Sequence, residues 1–212
     1  MGIMTMSRWG GLFGVLAAVL LVGAVLISGE TPNGDAPAQE WTDYIHDSDT
    51  KLLVRAYVLI AASLSLIAFY VFGVRPRLGD AESSDRALGQ MGAGATLLGA
   101  GSLTVGGLVG VAVAAANKFG DVPIDPSLAS TFDNFVYGFL LLGGAVPLAV
   151  VMAVVAIQTR RRMAFPNWVL WVSVVAIIGM ATSLVFLPFV LLPVWLIAVS
   201  VAVFRGGESR TA

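Results

Sequence analysis

The sequence predicts an all-α fold, a polytopic membrane bundle of six transmembrane helices with both termini cytoplasmic. Three observations carry this. First, 58% of the 212 residues are hydrophobic and 12% are charged, with 24 Gly besides. Soluble domains average about 25% charge and about 45–50% apolar residues with Gly included, so this chain has too little polar surface to cover a globule in water. Second, the apolar residues arrive in blocks of about 20, the length a helix needs to cross a hydrocarbon core of about 30 Å. Third, the cations fall on alternate loops.

The spans follow in order, near 9–28, 52–74, 89–116 and 135–157, with an outer loop over 29–50. The uncharged stretch 168–204 would reach about 55 Å as one helix, nearly twice the core. It reads as two short spans, 168–186 and 189–204, joined tightly where Pro188 and Pro193 remove backbone donors. The whole of 1–212 is then a single transmembrane domain.

Orientation comes from the cations. Arg8, Arg75, Arg77, Arg86, Arg160, Arg161, Arg162, Arg205 and Arg210 share one side, against Lys51, Arg55 and Lys118 on the other. The positive-inside rule puts the first set, and both termini, in the cytoplasm. Nine of the thirteen acids lie outside, with Asp80, Glu82, Asp85 and Glu208 inside. A competing reading treats the first span as a secretory signal cut near Ala36-Pro37-Ala38. Its apolar block exceeds the usual 7–15 residues, and the site lies well beyond it.

Several segments carry further expectations. In the outer loop, Trp41, Tyr44 and Ile45 at helical spacing after Pro37 suggest a short helix on the outer interface, with the aromatics at headgroup depth. A lid or docking surface is the alternative. In the third span Ser102, Gly106, Gly110 and Ala114 form a small-xxx-small stripe, and Gly10 and Gly14 make a shorter one in the first. Small residues allow the close approach by which helices associate in lipid, so the third span should sit centrally, with both stripes packed within the chain. Gly143, Gly144 and Pro147 in the fourth span suggest a static kink rather than a transporter's broken helix. Asp125-Pro126 reads as a helix cap followed by Pro in the first turn.

The candidate binding residues are Arg55, Asp133, Asn134 and Tyr137, all near the outer leaflet, with Tyr57 and Asn117 as possible neighbours. Arg55 could pair with Asp133. The plainer reading is that each group snorkels to water or lipid phosphate by itself.

Eliminations do more. No ionisable residue lies near the centre of a span, which removes the usual proton relay. The Ser and Thr residues within the spans can bond their own helix backbone. Cys is absent and His46 is the sole histidine, so disulfides, thiolate metal sites and paired imidazoles are excluded. No catalytic residue, metal or cofactor is expected, and the protein reads as no enzyme. Arg160–Arg162 reads as a topology determinant, with a weaker role toward anionic lipid.

Taken whole, the chain resembles uncharacterised six-span integral membrane proteins of actinobacteria, a domain-of-unknown-function type. The matching features are Gly29–Pro32 after the first span, the Trp41/Tyr44 segment and the Arg75-Pro76-Arg77 inner loop. Pro166-Asn167-Trp168 opening the fifth span and Trp195 in a last span closed by Arg205 complete them. The resemblance implies a bacterial plasma membrane location and no catalytic residues. The function expected is that of a non-enzymatic interaction or assembly protein, its partners the bilayer and another membrane protein or a second copy, with no nucleic acid. The alternative is a carrier or binding protein for a lipophilic or neutral small molecule. An outward polar-lined cavity would favour the carrier; a solid bundle with a small-residue face open to lipid would favour the interaction protein.

Overall fold

Each apolar block is a helix in the computed structural model, which describes residues 3–33, 35–78, 83–182 and 187–205. We number the helices α1 (Ile3–Ser28), α2 (Ala38–Leu78), α3 (Ser83–Gly120), α4 (Pro126–Arg162), α5 (Asn167–Thr182) and α6 (Leu187–Arg205). No strand occurs among the described residues. Among the described residues, four helices are long and apolar enough to cross a membrane: α1 through Trp9–Ile27, then α2, α3 and α4. The apolar parts of α5 and α6, Asn167–Met180 and Val190–Arg205, are shorter.

The helices close into a ring. Each packs on its neighbours in sequence, and α1 packs on α6. The main core lies inside, built on Tyr70, Met152, Val155, Trp195, Leu196 and Val199. Trp195 is 1% exposed, donates through Nε1 to Ser173 Oγ at 2.9 Å, and stands edge-on to Phe69 with ring centroids 6.2 Å apart. Ser63, Ser65, Thr96 and Thr159 each bond the carbonyl four residues back, as expected of hydroxyls in an apolar helix.

Helices α2, α3 and α4 have 41, 38 and 37 residues, so each runs to about 55–60 Å, well beyond the bilayer core. Their excess length at the α3–α4 turn forms a cap with its own core of Trp41, Ile45, Leu52, Ala56, Val111, Ala114 and Ala129. This corrects the reading of 29–50 as a loop carrying a separate interfacial helix. Residues from Ala38 onward belong to α2 without a break. Trp41, at 3% exposure, is a core residue of the cap, not a headgroup anchor. Lys118 fastens α3 to α2 there, donating to Asp49 Oδ2 at 2.8 Å and Thr50 Oγ1 at 2.7 Å.

Two prolines act by widening a helix. A π turn occupies Phe69–Val74 just before Pro76, and another occupies Phe139–Ala145 just before Pro147. A proline ring clashes with the carbonyl four residues earlier and offers that carbonyl no N–H. The carbonyls concerned, on Phe72 and Gly143, lie inside the widened turns, which absorb the mismatch while the helix continues. The Arg75-Pro76-Arg77 inner loop is therefore helical as far as Leu78, and the kink expected at Gly143–Pro147 is a change of register within a continuous α4. The expected break at Pro188 and Pro193 also moves. Helix α6 starts at Leu187, so Pro188 sits in its first turn, and Pro193 lies inside the helix. Ser183, within the expected fifth span, lies outside the described residues.

Asp125 caps α4 as the sequence predicts. Its carboxylate accepts from Ser127 N at 2.9 Å, Ser127 Oγ at 2.7 Å and Leu128 N at 3.4 Å. The Ser127 hydroxyl, then the two amides, hold the Asp125 pKa below the ordinary carboxylate value. A depressed folded-state pKa stabilises above the ordinary carboxylate range, and that contribution is lost as pH falls through the lowered value. Asp125→Ala should therefore lower the melting temperature at neutral pH, and the gap to the unaltered protein should close in acid. A gap that stays constant through acidification would contradict the cap.

Candidate functional site

The ring encloses a cavity of about 60 Å³ to which every helix contributes, among them Leu21, Arg55, Leu103, Gly144, Met180 and Leu192. It lies toward the cap end, since its residues come late in α1 and α5 and early in α6. The walls are aliphatic apart from Arg55, the one charged residue lining it among the described residues. Arg55 is 7% exposed. Its guanidinium fits because Gly110 has no side chain: a Cβ there would stand 2.6 Å from Arg55 Nη2 and 2.8 Å from Val136 Cγ2. The stripe on α3 thus makes room for a cation as well as for helices. Further down, Gly106 abuts Phe139, and Gly143 of α4 faces Ser102. The α1 stripe is filled in the same way, Gly10 by the backbone of α2 and Gly14 by Phe69 and Ser200. Both stripes pack within the chain, as the sequence reading expects.

Three of the four predicted binding residues gather around a fourth group that the prediction placed elsewhere. The charges of Arg55 and Asp133 and the phenol of Tyr137 all act on the Tyr44 hydroxyl. Burial raises the Tyr44 pKa first, with Arg55 opposing it. Burial likewise raises the Asp133 pKa, with the Arg55 charge opposing it. Tyr137 is 39% exposed, with its hydroxyl 3.4 Å from Thr31 Oγ1. Asn134 stands apart: it is exposed and donates to the Ser130 carbonyl at 3.0 Å. Tyr57 is 71% exposed, and Asn117 donates to Val122 O at 3.0 Å, so neither joins the group. Independent snorkelling therefore fails for Arg55, whose side chain is enclosed by α3 and α4.

Beside this group is a second cavity of about 10 Å³, lined by Trp41, Tyr44, Gly110, Asp133 and neighbouring apolar side chains. Trp41 Nε1 and the Tyr44 hydroxyl are buried with no protein hydrogen-bond partner among the described residues. A signal for Trp41 exists in the sequence. Trp41, Ile45, Leu52, Ala56 and Leu59 continue the buried face of α2 at helical spacing across the supposed loop boundary.

The far end of the bundle holds a second polar cluster, which sequence reasoning missed. Asp85 is 1% exposed in the first turn of α3 and forms an ion pair with Arg162 at the end of α4. Gln158, fully buried, donates to Asp85 Oδ1 at 2.9 Å. Tyr70 ties α2 to the same stretch of α3, donating to Gly89 O at 2.6 Å. Arg77 donates to Val203 O of α6 at 2.6 Å. Arg77 and Arg162 thus bond across helices, a role beyond marking topology. Nothing in the sequence around Asp85 distinguishes it from the exposed acids. No group of three or more His, Cys, Asp or Glu able to hold a metal occurs among the described residues.

No protein family, curated protein or solved structure matches this chain. The assignment of function rests on the geometry above.

Proposed function

We propose that this is a six-span protein of the bacterial plasma membrane, with both ends cytoplasmic, that binds or carries a lipophilic small molecule without converting it chemically. The observation that carries the reading is the cavity of about 60 Å³ inside the ring. It is aliphatic except for Arg55, where the sequence reading asked for a polar lining, and so suits a lipophilic molecule rather than a polar one. Apolar cavities take up apolar ligands, and one cation on the wall can orient a polar group on the ligand. The opposing reading, a partner or second copy docked on small-residue stripes, loses its main support because those stripes are occupied inside the chain. The topology rests on the bias of the arginines to one side.

The test is to fill the cavity. Ala145 lines it and is 8% exposed, so Ala145→Phe, with Ala145→Leu as a milder variant, reduces the space. Protein moved from host membranes into nanodiscs and released for native mass spectrometry should carry a lipophilic molecule at near one per chain. Occupancy should fall by about tenfold in Ala145→Phe, the scale of 1.4 kcal/mol, while the fold is retained. Equal occupancy in both proteins, or no bound molecule in the unaltered one, would sink the reading.

A further inference from the structure

We infer that the small pocket in the cap holds one ordered water molecule, bound between Trp41, Tyr44 and Asp133, whatever the larger cavity contains. The pocket has the volume of a single water, about 10 Å³. It is lined by a side chain 3% exposed whose only polar atom, Trp41 Nε1, has no partner among the described residues, and by Tyr44, whose buried hydroxyl has none among them either. The indole N–H can only donate, and the phenol stays protonated because burial raises its pKa. The indole therefore requires an acceptor, and the phenol has a proton to donate to one. Asp133 lines the same pocket and offers oxygens that accept.

A water accepts from Trp41 and Tyr44 and donates to Asp133, making three bonds, the usual number for a buried water. Other occupants fit less well. A cation would face the Trp41 N–H, which has no lone pair to offer it, and would leave that donor unsatisfied. A halide would suit the donors, with Arg55 close by, but would share the pocket with the Asp133 carboxylate. A neutral molecule that both donates and accepts satisfies all three groups. The water links the cap portion of α2 to α4, and so acts on how Asp133 is held toward Arg55 on the wall of the larger cavity.

X-ray radiolytic footprinting of the full chain in nanodiscs tests this, because bound water generates hydroxyl radicals beside the residue it touches. Trp195 is an internal control: it is 1% exposed, and its indole N–H is bonded to Ser173. Trp41 should be oxidised at least about fivefold faster than Trp195 although both are buried. Asp133→Leu removes the acceptor and should bring the Trp41 rate down to that of Trp195, whereas Asp133→Asn should leave it high. Equal rates in the unaltered protein would overturn the inference. So would a fast Trp41 in Asp133→Leu, which would mean that the cap simply opens. Anomalous density for bromide in the pocket, in crystals grown with bromide, would replace the water with an anion.

Discussion

Gly10→Ala is expected to destabilise the bundle by about 3 kcal/mol or more, the upper range for overpacked sites. A Cβ on Gly10 would overlap the backbone of Phe72 and Gly73. Backbone atoms cannot rotate away as a side chain can, so α1 and α2 must separate along their crossing. The effect is asymmetric: a Cβ on Gly73 would lie 3.2 Å from Gly10 C, a tight contact that a small shift relieves. Gly73→Ala should therefore cost distinctly less. Gly101 is the control, with nothing within 4 Å of its added Cβ. There the gain in helix propensity, up to about 1 kcal/mol, should leave stability unchanged or improved. Thermal melting in nanodiscs would compare all three. If Gly10→Ala melts with Gly101→Ala, the close crossing is wrong.

The second large effect is at the opposite polar cluster. Arg162→Ala leaves the Asp85 carboxylate, with side chain 2% exposed, bonded to Gln158 without its cation. Removing one partner of a buried pair costs about 3–5 kcal/mol. Arg162 is 29% exposed and partly solvated, which puts the expected loss at the lower end of that range. Asp85→Asn is gentler, because its Oδ1 still accepts from Gln158 and the freed guanidinium can turn to water. It should cost about 1–2 kcal/mol. The double variant should recover part of the Arg162→Ala loss, since no charge is then left unpaired beneath Arg162. Additive losses in denaturant unfolding would show that Asp85 and Arg162 are not coupled. These values matter for the carrier reading as well. The cluster joins α3 to α4 at the end away from the cavity, so weakening it should leave ligand occupancy intact while lowering stability.

How much of this could be read in advance depended on how local the cause was. The cap at Asp125 was legible because a carboxylate two and three residues before free amides acts within one turn. The hydroxyls of Ser63 and Thr96 bond their own helix for the same reason. The gathering of Arg55, Asp133 and Tyr137 was partly legible, since all three lie at one depth. Tyr44 was assigned to a lipid interface because an aromatic near a predicted membrane boundary normally sits there. What overrode that expectation was the length of α2, which carries Trp41 and Tyr44 into contact with α3 and α4. Asn134 was included by adjacency to Asp133, yet one residue is about 100° around a helix, and it points away from the group.

Hydropathy and charge are sums over neighbours in the chain. From them the sequence by itself determined an all-α architecture, the positions of six apolar segments and the start of α4. Only the tertiary structure decided that α1 closes the ring against α6, that the stripes on α1 and α3 are filled from within, and that Asp85 is buried while the other acids among the described residues are not. Burial is a property of pairs of surfaces. Asp85 is enclosed because the end of α4 arrives beside the start of α3, 73 residues away in sequence from Gln158. Such a meeting depends on how every intervening helix packs, and no stretch of sequence around either residue contains it.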